Sequence, residues 1–299
     1  MSAAAPGVAT SAAAPAAAVD LTASLDRAAL AALHEELVTW PKPGLVCPRD
    51  PGAHRDMDAS TFFASLHALR GVFARATRAG LARAPFAALI ELGVDAEARM
   101  LAATSGVNTH RGALFTLGLL AAAAGGLTAE GRRLEPAAIA RAVATGFGEG
   151  LRTLRPGATH GAEVARRFGA GGARAEAAAG FPHVVQVALP ALAGGLARGH
   201  GRRAAVVHTL VSLIATLPDT NLLYRGGPDG LRLAHDGAAA FLAAGSSFVP
   251  GWEERLLGLH AAFVERHLSP GGSADLLAAT LFLERLAAAG PRASTGDPR

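Results

Sequence analysis

The chemically capable polar residues of this chain concentrate in six short segments that contain glycine or proline. The segments cover residues 39–46, 52–58, 106–112, 172–176, 218–227 and 269–275. Each joins or opens a run of apolar residues with helical spacing. Loops held by a rigid scaffold commonly carry binding and catalytic groups. We therefore expect the functional site to be assembled from several of these segments.

The segment at 106–112 has the features of an anion-binding loop. Asn108 or Thr109 can cap the helix that follows, and the free amides of its first turn lie at the positive end of the helix dipole. His110 and Arg111 would add positive charge to this position. A simpler interpretation also fits, a capped buried helix with one exposed arginine.

The segment at 269–275 follows the same logic. Ser269 opens it, Gly271 and Gly272 would let the backbone approach a ligand, and Ser273 would cap the next helix. Asp275 either takes part in such a site or merely complements the helix dipole.

Lys42 is the single lysine among 28 basic residues. It stands between Pro41 and Pro43, and this stiff extended segment fixes where its ammonium points. A point charge on a rigid loop suits a phosphate. The alternative is an ordinary exposed lysine.

Carboxylates occur in most of the segments. Asp56 and Asp58, with His54 just upstream, could offer oxygen ligands to Mg²⁺, although such pairs also mark solvated helix starts. Simple interpretations exist for the others: a surface glutamate at 97, a local ion pair between Arg174 and Glu176, a turn at Asp219 and Asn221, and a helix stop at 225–227.

Several common catalytic signatures are absent from the sequence. It contains no G-x-x-x-x-G-K-[ST], no G-x-G-x-x-G after a strand, no H-E-x-x-H, no G-x-S-x-G and no zinc spacing. The common nucleotide-binding and protease classes thus lose their support. Phosphate-binding loops and carboxylates without an obvious covalent nucleophile indicate a Mg²⁺-dependent enzyme that acts on a polyphosphate substrate.

The composition predicts the scaffold that holds these segments. Of the 299 residues, 51% are apolar but only 5% are aromatic, which favours helices over sheets. Helical periodicity covers 22–38, 60–79, 85–103, 110–124, 136–154, 183–198, 203–216, 228–243, 250–267 and 274–289. We expect an all-α, compact multi-helix bundle of about ten helices with no significant sheet. The run at 113–124 is apolar on every face and should lie at its centre.

One catalytic domain is expected over residues 21–290, between a disordered Ala/Pro-rich tail at 1–20 and a flexible tail at 291–299. The first 19 residues lack the charged and apolar parts of a signal peptide, and the longest apolar run, about 15 residues, is short of a membrane span. The formal charge of +4 is scattered. We expect a cytoplasmic protein that binds neither nucleic acid nor membrane. A homo-oligomer is compatible with the sequence.

Five runs of residues carry a family resemblance. They are Pro-Lys-Pro-Gly-Leu-Val at 41–46, Gly-Ala-His-Arg-Asp-Met at 52–57, Gly-Val-Asn-Thr-His-Arg-Gly-Ala at 106–113, Asp-Thr-Asn-Leu-Leu at 219–223 and Ser-Pro-Gly-Gly-Ser-Ala-Asp-Leu-Leu at 269–277. In this order they resemble the triphosphoribosyl-dephospho-CoA synthases, over about residues 25–289. The sequence departs from the family at Trp40, Cys47 and Ala175, which puts a catalytic role for position 47 in doubt.

The resemblance implies an all-helical enzyme that joins ATP to 3′-dephospho-CoA. The ribose 2′-hydroxyl of dephospho-CoA attacks C1′ of the ATP ribose, adenine leaves and the triphosphate is kept, which explains why a P-loop is missing. The product, 2′-(5″-triphosphoribosyl)-3′-dephospho-CoA, would pass to a carrier-protein holo-synthase. Thr-His-Gly at 159–161 and the run at 54–58 favour the malonate decarboxylase system over citrate lyase.

Ribosyl transfer passes through an oxocarbenium-like state, so it needs carboxylates near C1′ and a group that handles protons. We expect Glu97 and Asp56 to be catalytic, and Asp219 and Asp275 to hold Mg²⁺. The expected substrate-binding residues are Lys42, His54, Asn108, Thr109, His110, Arg111, Arg174, Glu176, Asn221, Ser269, Gly271, Gly272 and Ser273. Two rival functions are a Mg²⁺-dependent ADP-ribosyl or nucleoside hydrolase and a non-enzymatic helical module that binds nucleotides.

Overall fold

The computed structural model describes residues 16–154 and 160–289, and these residues contain thirteen α-helices and no strand. The helices are α1 (Ala16–Val38), α2 (Ala59–Ala68), α3 (Val72–Leu81), α4 (Phe86–Ala103), α5 (Arg111–Ala129), α6 (Pro136–Thr153), α7 (His160–Phe168), α8 (Gly172–Ala178), α9 (Leu189–Ala197), α10 (Arg202–Thr216), α11 (Thr220–Ala243), α12 (Trp252–Glu265) and α13 (Gly271–Ala289). A π-helical turn, Val184–Ala188, precedes α9, and a 3₁₀ turn, Ser246–Phe248, precedes α12. The predicted all-α class is confirmed.

Helix α5 forms the centre of the bundle, as the sequence predicts. Twelve of its residues are buried, and it packs against α3, α4, α6 and α13. By length and composition α5 could also span a membrane, but two-thirds of its apolar window is buried among the other helices. An Ala- and Gly-rich helix serves this position because small side chains let several neighbours approach its backbone.

Over its described residues the structure has three more helices than the predicted ten, and one predicted helix has different bounds. The expected helix at 60–79 is divided at Gly71, which has φ +79°, and the carboxylate of Asp26 on α1 accepts hydrogen bonds from the first amides of α3. The short helices α7 and α8 were not predicted, because nine or fewer residues give little periodicity. Helix α11 begins at Thr220 rather than 228 and breaks at Gly227, whose φ of 61° and ψ of −163° are not helical.

The predicted boundaries at the chain ends are only partly covered by the described residues. Helix α1 begins at Ala16, so it extends five residues into the segment expected to be a tail. Residues 1–15 and 290–299, and with them the rest of both predicted tails, lie outside the described residues.

Two glycines set the distance between α3 and α5. A methyl group on Gly80 would overlap the carbonyl oxygen of Ala122, and one on Gly125 would overlap that of Thr77. The two helix backbones are therefore in direct contact. This contact fixes α5, whose first turn is part of the site described below.

We predict that Gly125→Ala lowers the free energy of unfolding by about 1–3 kcal/mol, because the added methyl group forces the packed helices apart. Gly118→Ala is the matched control in the same helix, since nothing lies within 4 Å of a side chain there. The control should be neutral or stabilising by up to about 1 kcal/mol, from helix propensity alone. Urea unfolding of both variants tests this, and equal effects would contradict the close contact.

Candidate active site

The N-terminal ends of α11 and α13 meet at the buried carboxylate of Asp219. Its Oδ1 accepts hydrogen bonds from the amide of Asn221 at 2.9 Å and from that of Gly272 at 3.3 Å. Its Oδ2 accepts from the amide and the hydroxyl of Ser273, at 2.8 and 3.0 Å. One carboxylate thus caps two helices, and its hydrogen-bonding capacity is filled.

The N-terminal end of α5 meets α13 in a similar way, through Asp275. The amide of Ala113 donates a hydrogen bond to this carboxylate, and a methyl group on Gly112 would overlap its Oδ2. The sequence predicts an anion at the start of α5, and in the structure Asp275 itself lies there. Only glycine at position 112 leaves room for it.

Three acidic side chains act on one another in this region. Burial raises the pKa of Asp275 well above its ordinary value, and the negative charges of Asp219 and Glu36 raise it further. Burial also raises the pKa of Asp219, although the hydrogen bonds from Ser273, Asn221 and Gly272 oppose that effect. The region therefore carries more negative charge than its surroundings stabilise, which favours a bound proton or cation.

Lys42 points into the protein rather than into solvent. Its Nζ donates to Oε1 of Glu36 at 2.6 Å and to the backbone oxygen of Glu36 at 2.7 Å, and only 2% of the residue is exposed. Lys42 is therefore neither an exposed lysine nor an unpaired ammonium on the loop surface. Its role toward a phosphate stays a prediction.

His110 lies next to this ion pair. Its Nδ1 is 2.7 Å from the hydroxyl of Ser65, and the ring of Phe62 packs edge-on against it. Burial and the charge of Lys42 lower the pKa of His110 to about 3, so the imidazole is neutral at pH 7. The expectation that His110 adds positive charge is therefore wrong.

One ring nitrogen of His110 is available. The buried Nε2 has no hydrogen-bond partner within the described part of the chain, and the same holds for the hydroxyl of Thr109. Buried polar atoms without partners are rare in proteins. These two atoms are thus suited to contact a bound ligand.

Arg111 and Glu97, both expected at the site, form an ion pair. The Nε of Arg111 donates to Oε1 of Glu97 at 2.7 Å, and both side chains are partly exposed. The side-chain oxygen of Asn108 accepts from the amide of Arg111 at 3.2 Å. The N-cap of α5 is His110, without a side-chain cap, so the prediction of Asn108 or Thr109 at that position is wrong. Asn108 still satisfies one amide at the start of α5.

A second polar group joins the loop at 52–58 to the loop before α13. The Nε2 of His54 is 2.9 Å from the hydroxyl of Ser269. The Nδ1 of His54 is 3.2 Å from Nη2 of Arg225 and 3.6 Å from the exposed carboxylate of Asp56. Asp58 caps α2 instead, as the helix-start interpretation predicts.

The glycines of the last loop serve the protein's own packing. A methyl group on Gly271 would meet the side-chain amide of Asn221, and one on Gly272 would meet the carboxylate of Asp219. The close backbone approach expected there exists, but it is made by these two side chains.

Arg174 and Glu176 do not form the local ion pair of the simple interpretation, and their expected role in substrate binding stays a prediction. Arg174 donates to the backbone oxygen of Leu154 at 2.6 Å, and Glu176 binds the amide and the ring Nδ1 of His183, at 2.7 and 2.8 Å. Their helix starts beside Thr220, next to Asp219, but the two side chains are engaged elsewhere.

The structure thus links most of the predicted residues and adds four that sequence reasoning missed, namely Glu36, Ser65, Gly112 and Arg225. A signal existed for Glu36, because it follows Ala29 and Leu33 on the buried stripe of α1 at helical spacing. Arg225 belongs to the predicted helix stop at 225–227, which indicates no role in the site. Nothing in the sequence distinguishes Ser65 from other serines.

The described residues contain no group of three or more His, Cys, Asp and Glu side chains suited to a metal ion. Mg²⁺ needs fewer, because it is commonly held by one or two carboxylates together with phosphate oxygens and water. Of the two expected ligands, Asp219 has its oxygens filled. Asp275 accepts one backbone hydrogen bond and has the capacity for a cation.

The described residues form an all-helical bundle in which sequence-distant loops meet at buried carboxylates, and the sequence contains no P-loop. The chain matches the model of the CitG family, described as ATP:dephospho-CoA triphosphoribosyl transferase, over residues 22–293. It therefore belongs to that family and is a transferase. The predicted family is confirmed.

Two relatives show how far the similarity extends. The 2-(5″-triphosphoribosyl)-3′-dephosphocoenzyme-A synthase of Pectobacterium atrosepticum is 42% identical over 269 residues, which cover 87% of this chain and 88% of the relative. A protein of Azotobacter vinelandii, named a probable synthase of the same kind, is 43% identical and covers 86% of this chain and 89% of its own length. No solved structure matches the chain.

We predict that Asp275→Asn stabilises the protein at neutral pH. A carboxylate whose pKa is raised by folding costs stability as the pH rises above its unfolded value of 3.8, by about 1.4 kcal/mol per pH unit until the folded pKa is reached. Below that window the variant and the wild type should unfold alike. Urea unfolding between pH 4 and 8 measures the difference.

Asp229→Asn is the control, since that carboxylate is 83% exposed. Its stability difference from the wild type should stay small across the same range. A constant or opposite pH trend for Asp275→Asn would show that Asp275 is not destabilised by its surroundings.

Proposed function

We propose that the enzyme transfers the triphosphoribosyl group of ATP to 3′-dephospho-CoA. The 2′-hydroxyl oxygen of the acceptor forms a bond to C1′ of the ATP ribose, and the bond from C1′ to N9 of adenine breaks. The hydroxyl proton leaves through a protein carboxylate, and adenine departs with one proton gained. The triphosphate stays on the transferred ribose.

The observation that carries this proposal is the convergence of the motif loops. The runs through Lys42, His110, Asp219 and Asp275 come from distant parts of the chain, yet their side chains act on one another directly or through Glu36. Membership in the triphosphoribosyl transferase family supplies the reaction class. The relatives' names include the dephospho-CoA product.

Adenine release is the decisive assay. The enzyme with ATP alone should release almost none, and addition of 3′-dephospho-CoA should start release that matches product formation by mass spectrometry. Adenine release from ATP or other nucleosides without an acceptor would instead indicate a hydrolase. ATP binding without any release, in calorimetry, would indicate a binding module.

We further propose that Mg²⁺ takes part, with Asp275 as its protein ligand and Asp219 as the group that fixes the loop around it. The metal ion would offset the negative charge of the triphosphate. The lysine of this region, Lys42, is already paired with Glu36. Mg²⁺ usually binds through few carboxylates and through substrate phosphates.

Removal of the metal should therefore stop the reaction. We predict that excess EDTA abolishes adenine release and that added Mg²⁺ restores it, while the melting temperature of the enzyme without substrate changes little. Full turnover in EDTA would refute the metal requirement.

Glu97 and Asp56 are the proposed proton-handling carboxylates. Glu97 is partly exposed and Asp56 is exposed, so the oxygens of both can reach a substrate, and Glu97 is held by Arg111. We predict that Glu97→Gln and Asp56→Asn each lower kcat by about 10² to 10⁴ with a smaller change in KM. Steady-state adenine release measures this.

Glu91→Gln, on the same helix as Glu97, is the control for a general effect of charge loss. The melting temperatures of all three variants should match the wild type. A wild-type rate for either variant would show that the replaced carboxylate is not catalytic. Asp275 would then be the next candidate.

The sequence favours a role in the malonate decarboxylase system. A holo-synthase would transfer the product to the acyl carrier subunit of malonate decarboxylase in the cytoplasm. Part of the sequence basis, Thr159, lies outside the described residues. Inactivation of the gene in its own organism should remove the prosthetic group from the malonate decarboxylase carrier subunit, as measured by mass spectrometry of the purified subunit. A malonate decarboxylase carrier that stays fully loaded, or a loss confined to the citrate lyase carrier, would contradict this assignment.

A further inference from the structure

Arg225 lies in the last turn of α11 before the break at Gly227, and its guanidinium joins three parts of the site. Its Nη1 donates to the backbone oxygen of His267 at 3.1 Å and to that of Ala53 at 3.4 Å. Its Nη2 is 3.2 Å from Nδ1 of His54. The reaction proposed above assigns no role to Arg225 or to these contacts.

The direction of the hydrogen bonds follows from the chemistry of the partners. A guanidinium can only donate, so Nδ1 of His54 must accept and carries no proton. In a neutral imidazole the proton then lies on Nε2. Because Nε2 is 2.9 Å from the hydroxyl oxygen of Ser269, that oxygen accepts, and the hydroxyl proton of Ser269 is left to donate elsewhere.

The charges around His54 agree with a neutral ring. Burial lowers the pKa of His54, the charge of Arg225 lowers it further, and only the exposed Asp56 opposes them. Both the charge of Asp56 and its contact with Nδ1, at 3.6 Å, raise the pKa of His54. The contact of Nδ1 with Nη2 of Arg225 is shorter, at 3.2 Å, and it favours an unprotonated Nδ1. Arg55, Glu265 and His267 line the same surface depression as His54.

The tautomer of His54 also rules out a hydrolytic Ser-His-Asp triad. A serine, a histidine and an aspartate in contact resemble a hydrolytic triad, but a triad needs the histidine to take the serine proton. Here the protonated Nε2 faces the serine. His54 in this tautomer therefore cannot take the proton of Ser269.

We propose that Arg225 is a positioning residue that holds His54 in the Nε2–H tautomer and thereby directs the Ser269 hydroxyl to donate to a phosphate oxygen of the substrate. This inference rests on the proposed function, whose two substrates both carry phosphates. Within the described residues the Ser269 hydroxyl has no hydrogen-bond partner other than His54. Ser269 lies two residues before α13, which carries Asp219's partners Gly272 and Ser273 in its first turn and Asp275 close behind them.

The tautomer can be measured without activity. Long-range ¹H–¹⁵N spectra of the protein labelled with ¹⁵N-histidine report which ring nitrogen carries a proton, and His54→Gln identifies the His54 signals. We expect protonated Nε2 and unprotonated Nδ1 in the wild type. Arg225→Met removes the donor and should give a mixture of tautomers, whereas Arg225→Gln, which also removes the charge but keeps an N–H donor, should preserve the wild-type form.

Kinetics then tests the consequence. Ser269→Ala and Arg225→Met should each raise KM for one of the two substrates by about tenfold, roughly the worth of one hydrogen bond, with kcat changed less. Arg225→Gln should lie closer to the wild type. The double variant should be less than about twofold worse than Ser269→Ala alone, because both changes remove the same hydrogen bond.

Two results would overturn the proposal. One is a wild-type His54 that carries its proton on Nδ1, and the other is a double variant whose loss is the product of the single losses. A wild-type enzyme that releases no adenine would refute the proposed function instead, and the spectra would still decide the tautomer.

Discussion

The structure depends on carboxylates placed at the ends of helices. Asp219 caps α11 and α13 at once, and Asp275 lies against the first turn of α5. The N-terminal ends of three helices are thereby drawn into one region. Each helix has free amides at this end, and a buried carboxylate satisfies several of them at the favourable end of the dipole. The packing of the bundle and the polarity of the site are consequences of the same contacts.

These contacts leave the region electrostatically unbalanced. Within the part of the chain that the structure describes, one internal ammonium, that of Lys42, faces Glu36, Asp219 and Asp275, and His110 is neutral. A protein selected for stability alone would not bury this charge, because burial of acids without matched cations raises their pKa and costs stability. Such an imbalance is typical of functional sites, where a ligand or a proton completes the set. It explains why the chain keeps a polar interior in an otherwise Ala- and Leu-rich bundle.

Sequence reasoning found the scaffold and the loops but not the directions of the side chains. The burial of α5 followed from its apolar faces, and the site segments followed from their polar residues next to glycine. The break at Gly71 was missed because it depends on Asp26, which is 45 residues away. Lys42 was expected to meet a ligand, yet it meets Glu36, because the pairing is decided by how α1 lies beside the loop. Arg225 was overlooked since a turn-like sequence gives no sign that a guanidinium spans three segments.

The same long-range dependence links the chemistry to the fold. The groups of the site come from α1, from the loops before α2 and α5, and from the starts of α11 and α13, so no contiguous piece of the chain contains them. Glycine at 80 and 125 lets α3 hold α5 at the required distance, and glycine at 112 leaves the space that Asp275 occupies. A methyl group at position 80 or 125 would meet the backbone of the partner helix, and one at position 112 would meet the carboxylate of Asp275. The precision of the site is therefore set by backbone packing in the core, because side chains fixed to helix ends follow every shift of those helices.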